Sequence, residues 1–164
     1  MTYRVCFVCT GNICRSPMAE AVFHARVADA GLDGLVEADS AGTGGWHEGE
    51  SADPRTMAVL AENGYGLDHT ARQFKPSWFS RLDLVIALDA GHLRALRRLA
   101  PTEQDADKVR LLRSYDPAAD RGDLDVPDPY YGGVEGFEEC LEMVEAASDG
   151  LLAAVREQVE GRAA

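Results

Sequence analysis

Cysteine is scarce in this sequence, with four residues at positions 6, 9, 14 and 140. So few, bunched towards one end, cannot build the disulfide framework of a small secreted domain. No apolar run approaches the ~20 residues of a membrane span, and the opening MTYRVCF lacks the basic start, long apolar centre and cleavage site of a signal peptide. These absences make the cytoplasm the expected location and argue against a membrane partner. Positive charge is also short: 16 Lys and Arg against 28 Asp and Glu give a formal charge of -12. Phosphate backbones are bound through clustered Lys and Arg, so no nucleic-acid partner is expected. The one basic stretch, HLRALRR at 92–98, reads as the solvated face of a helix. An acidic body repels anionic substrates at long range, so any phosphate chemistry must rest on local focusing in a small pocket.

Repeats, low-complexity tracts and linker-like shifts in composition are missing too. The 164 residues therefore read as one domain, 1–164, large enough to bury roughly 70% of the surface its unfolded chain would expose.

What is present alternates between strand and helix patterns. YRVCFVC (3–9) is a buried-strand run, followed by a turn and a helical pattern over 17–31. LVEADSAG (35–42) reads as a second strand, and 53–64 as a helix opened by Asp53 and closed at Gly64. RLDLVIALD (81–89) reads as a central strand, 90–100 as a helix, and KVRLLRSY (108–115) as a fourth strand. The apolar positions from Val134 to Val159 recur at intervals of three, four and seven, the stripe of a long amphipathic helix. Alternating strands and helices imply crossovers and so a parallel sheet, and the expected fold is α/β: four strands in order 2-1-3-4 with helices on both faces.

Ligands of such sheets collect beyond the carboxyl ends of the strands. The segment CTGNICRS (9–16) lies there, between the first strand and its helix. Gly11 is expected to supply backbone freedom, Ser16 the N-cap and Pro17 the first helical position. A loop curled over a helix N-terminus is an anion cradle. Cys9 opens it and Arg15 closes it. Converging amide dipoles and a guanidinium favour a thiolate without a histidine base, and the planar fork of Arg15 matches two oxygens of a tetrahedral oxyanion. The spacing C-x5-R thus suits a sulfur nucleophile attacking phosphorus.

VCTGNICRSP resembles the phosphate loop of the low-molecular-weight protein tyrosine phosphatases. DSAGT at 39–43, DHTARQF at 68–74 and DPYYGG at 128–133 follow in the family's order, so the resemblance spans nearly the whole chain. It implies a cofactor-free, metal-free phosphotyrosine hydrolase acting on phosphotyrosine-containing proteins. Inorganic phosphate or another tetrahedral oxyanion would inhibit it, and a monomer is expected. The resemblance assigns Cys9 as nucleophile, Arg15 as phosphoryl ligand and Asp128 as general acid and then base. Asp128 also sits between Pro127 and Pro129 in a stiff segment; Asp125 is its near competitor. Thr10, Gly11, Asn12, Ile13 and Cys14 complete the loop, and Ser16 is placed to stabilise the departing thiolate. Asn12, Ser40 and His69 match the family's supporting network, in which the asparagine holds an unusual backbone. Trp46, Tyr130 and Tyr131 match the walls of a slot deep enough to prefer phosphotyrosine to phosphoserine. Ile13 stands where relatives that dephosphorylate arginine have threonine.

Cys9 and Cys14, with the chain curled between them, could form a reversible disulfide that shields the nucleophile, a role the resemblance also implies. Cys6 and Cys9 point to opposite faces of a strand and make a poor metal or redox pair. Cys140 reads as packing. Two alternatives stay open: an arsenate reductase of the same fold, which would need further cysteines between Cys14 and Cys140, and a non-catalytic phosphate-binding or redox-switch module.

Overall fold

The computed structural model describes residues 2–163; Met1 and Ala164, the ends of the expected domain, lie outside the described residues. Strand β1 (Tyr3–Cys9) leads to helix α1 (Arg15–Asp29), then β2 (Val36–Gly42), α2 (Pro54–Glu62), β3 (Leu84–Ala87), α3 (Ala90–Leu99), α4 (Glu103–Asp107), β4 (Val109–Leu111) and α5 (Val134–Ala163). All pairings are parallel, as the alternation of elements predicts, and the order is the expected β2-β1-β3-β4.

The strand alternation sorts the core into two layers. Val5, Phe7 and Cys9 face α1 and α5, where Phe7 meets Phe23 edge-on at 5.5 Å. Cys6 and Val8 face the other way, onto Phe74, Phe79 and Leu96. Cys140 is buried in the first layer. Helix α5 runs so close to the chain after β4 that a Cβ on Gly150 would lie 2.0 Å from the Tyr115 carbonyl oxygen. Only glycine fits that crossing.

Several boundaries differ from the sequence reading. Helix α1 starts at Arg15 with Cys14 as N-cap, so Ser16 is not the cap and Pro17 is not its first residue. The Ser16 hydroxyl is drawn to Cys9 and Asn12 instead. Strand β3 is four residues long and β4 three, shorter than their apolar runs; β4 ends where Leu112–Tyr115 turn into a 3-10 helix. Helix α4 was not anticipated, although Thr102 accepts the Asp105 N–H as a local cap. Among the described residues no helix is long and apolar enough to cross a membrane.

Candidate active site

The carboxyl end of β1 and the amino end of α1 are separated by five residues, 10–14, and the fold fixes their carbonyls from outside. Thr43 N–H donates to the Cys9 carbonyl (2.8 Å), Gly44 N–H to Thr10 (3.0 Å) and Asp53 N–H to Ile13 (2.8 Å). His69 Nε2 binds the Asn12 carbonyl at 2.6 Å. In a trans peptide the N–H points opposite to the C=O. Holding these four carbonyls outward therefore turns the amides of Thr10, Gly11, Ile13 and Cys14 towards the cavity that the same residues line. The anion cradle is a consequence of neighbouring strands and turns gripping the loop's outer edge.

Asn12 takes the left-handed backbone at φ 59°, the one non-glycine residue to do so among those described. Its buried side chain repays this conformation. Nδ2 donates to Ser16 Oγ (2.8 Å) and Ser40 Oγ (3.0 Å), while Oδ1 accepts the Arg72 N–H (3.0 Å). Ser40 in turn donates to Glu20 at 2.6 Å. Gly11, expected to supply unusual backbone, does not have positive φ. A Cβ there would meet the His47 ring at 2.8 Å, so the rim histidine would have to shift to admit one.

Cys9 Sγ lies 2.9 Å from Ser16 Oγ and accepts the Ser16 N–H at 3.4 Å, at the start of α1. Arg15 is buried at 3% exposure. Its Nη1 donates to Asp89 Oδ2 and to the Val126 carbonyl, both at 2.9 Å, and its Nη2 donates to Thr10 Oγ1 at 3.3 Å. Burial opposes the guanidinium's charge, but Cys9, Asp89 and Asp128 outweigh it and hold Arg15 protonated above its ordinary range. Asp89, which burial alone would push up, is pulled below the usual carboxylate range by the His92 N–H, the His92 ring and Arg15.

Asp128 Oδ2 stands 3.6 Å from Arg15 Nη2, and its Oδ1 accepts the Tyr130 N–H at 3.1 Å. The carboxylate both caps its own turn and faces the cavity. Asp125 does not compete for that place: its carboxylate accepts the Ala90 N–H at the start of α3.

The cavity holds about 360 Å³ and is lined by Cys9, Thr10, Gly11, Ile13, Cys14, Arg15, Trp46, His47, Asp128, Tyr130 and Tyr131. Trp46 is 74% exposed and Tyr131 90% exposed, so both form the rim, while Tyr130 is more enclosed and packs edge-on against Tyr131. GGWHEGE is held rather than loose. The Trp46 ring covers Gly44, and Gly49 N–H donates to the Ala71 carbonyl. Of the expected site residues, Ser40 and His69 stand behind the loop and the rest line the cavity or, like Asn12 and Ser16, lie directly beneath it.

Four residues escaped the sequence reading. Asp89 and His92 come from the start of α3, where the Asp89 side chain caps the helix by accepting the His92 N–H. His47 joins the rim beside Trp46. Arg55 donates to the carbonyls of Tyr130 and Gly132 and packs its guanidinium on Phe137, tying α2 to the segment that carries Asp128. Among the described residues no group of three or more His, Cys, Asp or Glu is arranged to hold a metal ion.

Known proteins share this architecture. A protein-tyrosine-phosphatase of low molecular weight from Streptomyces coelicolor is 88% identical over the full length of both chains. The low molecular weight protein-tyrosine phosphatase A of Mycobacterium tuberculosis is 48% identical over 90% of this chain and 88% of its own. The crystal structure of a protein tyrosine phosphatase from Entamoeba histolytica superposes with a TM-score of 0.91 at 35% identity, covering 96% of this chain and 99% of the other. The model of the low molecular weight phosphotyrosine protein phosphatases matches residues 4–161, and with relatives this close over this length the chain belongs to that family.

Proposed function

We propose that this protein hydrolyses phosphotyrosine in phosphoproteins through a phosphocysteine on Cys9, without a cofactor. The observation that carries the reading is the convergence of Cys9, Arg15 and Asp128 on one cavity rimmed by aromatic side chains. The substrate's phosphoryl oxygens enter the loop, where inward amides and the fork of Arg15 take up the charge that develops on them. The Cys9 sulfur attacks phosphorus as the bond to the phenolic oxygen breaks, and Asp128 gives its proton to that oxygen. The carboxylate left on Asp128 then removes a proton from water. The water oxygen joins phosphorus, the S–P bond breaks, and the Ser16 hydroxyl, 2.9 Å from the sulfur, donates to the leaving thiolate.

The rim supports a phenolic substrate. Trp46, Tyr130 and Tyr131 flank the entrance, and a ring between them carries its phosphorus to Cys9 where the shorter phosphoserine would fall short. Ile13 on the cavity wall supplies an apolar surface for that ring. Inorganic phosphate and other tetrahedral oxyanions fit the same cradle and inhibit by occupying it.

Hydrolysis of para-nitrophenyl phosphate by wild type, Cys9→Ser and Asp128→Ala tests the reading. Cys9→Ser should abolish turnover, and Asp128→Ala should lower kcat by about 10²–10⁴-fold, the range for loss of a general acid. Full activity in Cys9→Ser would reject the covalent route. A wild type that binds phosphate without turning over any phosphomonoester would make the protein a binding module.

A further inference from the structure

His92 lies in the basic stretch that the sequence suggests is solvated, yet it is buried, unlike the exposed Arg94 and Arg98 of the same helix. We propose that His92 is a positioning residue for Arg15: its ring holds the Thr10 hydroxyl as an acceptor for the outer arm of the guanidinium. This rests on the phosphatase reading of the site.

The contacts close a ring. Arg15 Nη1 has two acceptors, Asp89 Oδ2 and the Val126 carbonyl, whereas Nη2 has Thr10 Oγ1 at 3.3 Å and, more distantly, Asp128 at 3.6 Å. Thr10 Oγ1 lies 2.8 Å from His92 Nε2. Asp89 Oδ1 accepts the His92 backbone N–H at 2.9 Å and lies 3.2 Å from ring Nδ1, without the alignment of a hydrogen bond. Arg15, Asp89, His92 and Thr10 are thus joined in a circuit at the cavity's edge.

A hydroxyl has one proton to give. If Thr10 Oγ accepts from Arg15 and gives its own proton to Nε2, that nitrogen presents a lone pair. The other ring nitrogen faces a carboxylate and is better protonated than bare. Both demands select the neutral imidazole with its proton on Nδ1. Burial and the charge of Arg15 push the imidazole down to about 4, against the opposite pull of Asp89, Asp128 and Asp125, so the ring stays neutral where the enzyme works. With a proton on Nε2, His92 would instead donate to Thr10, share the hydroxyl's lone pairs with Arg15 and leave the hydroxyl proton without the Nε2 acceptor that orients it.

Two substitutions separate this role from mere filling of space. His92→Phe keeps a ring without an acceptor, and His92→Gln places an amide oxygen near the position of Nε2. Para-nitrophenyl phosphate turnover and inhibition by inorganic phosphate are measured for each, with urea unfolding to confirm the fold. His92→Phe should lower kcat/KM about tenfold and weaken phosphate inhibition by a similar factor, the scale of one hydrogen bond to a charged group. His92→Gln should stay within about threefold of wild type on both. Adding His92→Phe to Thr10→Val should cost nothing further. Nitrogen-15 shifts of the wild-type ring should report Nδ1 protonated and Nε2 bare at pH 7. A wild-type His92→Phe, a His92→Gln as impaired as His92→Phe, an additive double variant, or a proton on Nε2 would each overturn the proposal. The ring shifts and phosphate binding are readable even if the wild type turns over nothing, so a failure of the phosphatase reading is seen separately.

Discussion

Replacing Asn12 by alanine and by glycine separates the two reasons for an asparagine in the middle of the phosphate loop. Alanine removes three hydrogen bonds made by a fully buried side chain, to Ser16, Ser40 and the Arg72 N–H. At about 1 kcal/mol each, that is about 3 kcal/mol. Alanine must also hold φ near 59°, where an L side chain without local polar support costs roughly 1–2 kcal/mol. Glycine loses the same three bonds and adopts that backbone freely, at a smaller penalty of roughly 0.5–1 kcal/mol for its more disordered unfolded chain. Asn12→Ala should therefore destabilise the protein by about 4–5 kcal/mol and Asn12→Gly by somewhat less, read by urea unfolding. Both should lose activity, because Ser16 is no longer held beneath the Cys9 sulfur. Stability of Asn12→Ala within 1 kcal/mol of wild type, or Asn12→Gly clearly less stable than Asn12→Ala, would refute the account of the loop.

Two further outcomes follow from buried groups. His92 sits at about 4 in the folded protein against ~6.5 for a free imidazole, so the unfolded chain takes up a proton that the folded chain refuses. Its contribution is intact above pH 6.5 and is lost as pH falls towards 4, by up to about 3 kcal/mol. The stability of His92→Gln should fall less than that of wild type between pH 7 and pH 4.5, and parallel falls would reject the assignment. Cys14 is a buried thiol pushed up to about 12 by burial and by the nearby Asp53 and Cys9, so it rests as the thiol beside the nucleophile. In Cys14→Ser, turnover should remain largely intact while peroxide inactivation becomes harder to reverse with a thiol reductant. Equal recovery of both proteins would remove the protective disulfide.

CTGNICRS carries its chemistry locally, and this is why the cradle, the nucleophile and its arginine are legible in the sequence. Strand, turn and helix start are adjacent there, and the residue types suit one another without reference to distant chain. The strand–helix alternation likewise yields the parallel sheet, because each crossover returns the next strand in the same direction. The reason for Gly11 and the roles of Ser16 were not legible, since each is set by what packs on the loop: the His47 ring against the one, Cys9 and Asn12 against the other. Asp89 and His92 lie far along the chain from Arg15 and Thr10, and nothing in their neighbourhood marks them as more than the opening of a helix. The pairing of β3 beside β1 delivers the start of α3 to the same edge of the sheet as the phosphate loop. Local sequence can specify which groups a loop offers; only the assembled sheet decides which distant carboxylate and imidazole come to lean on them.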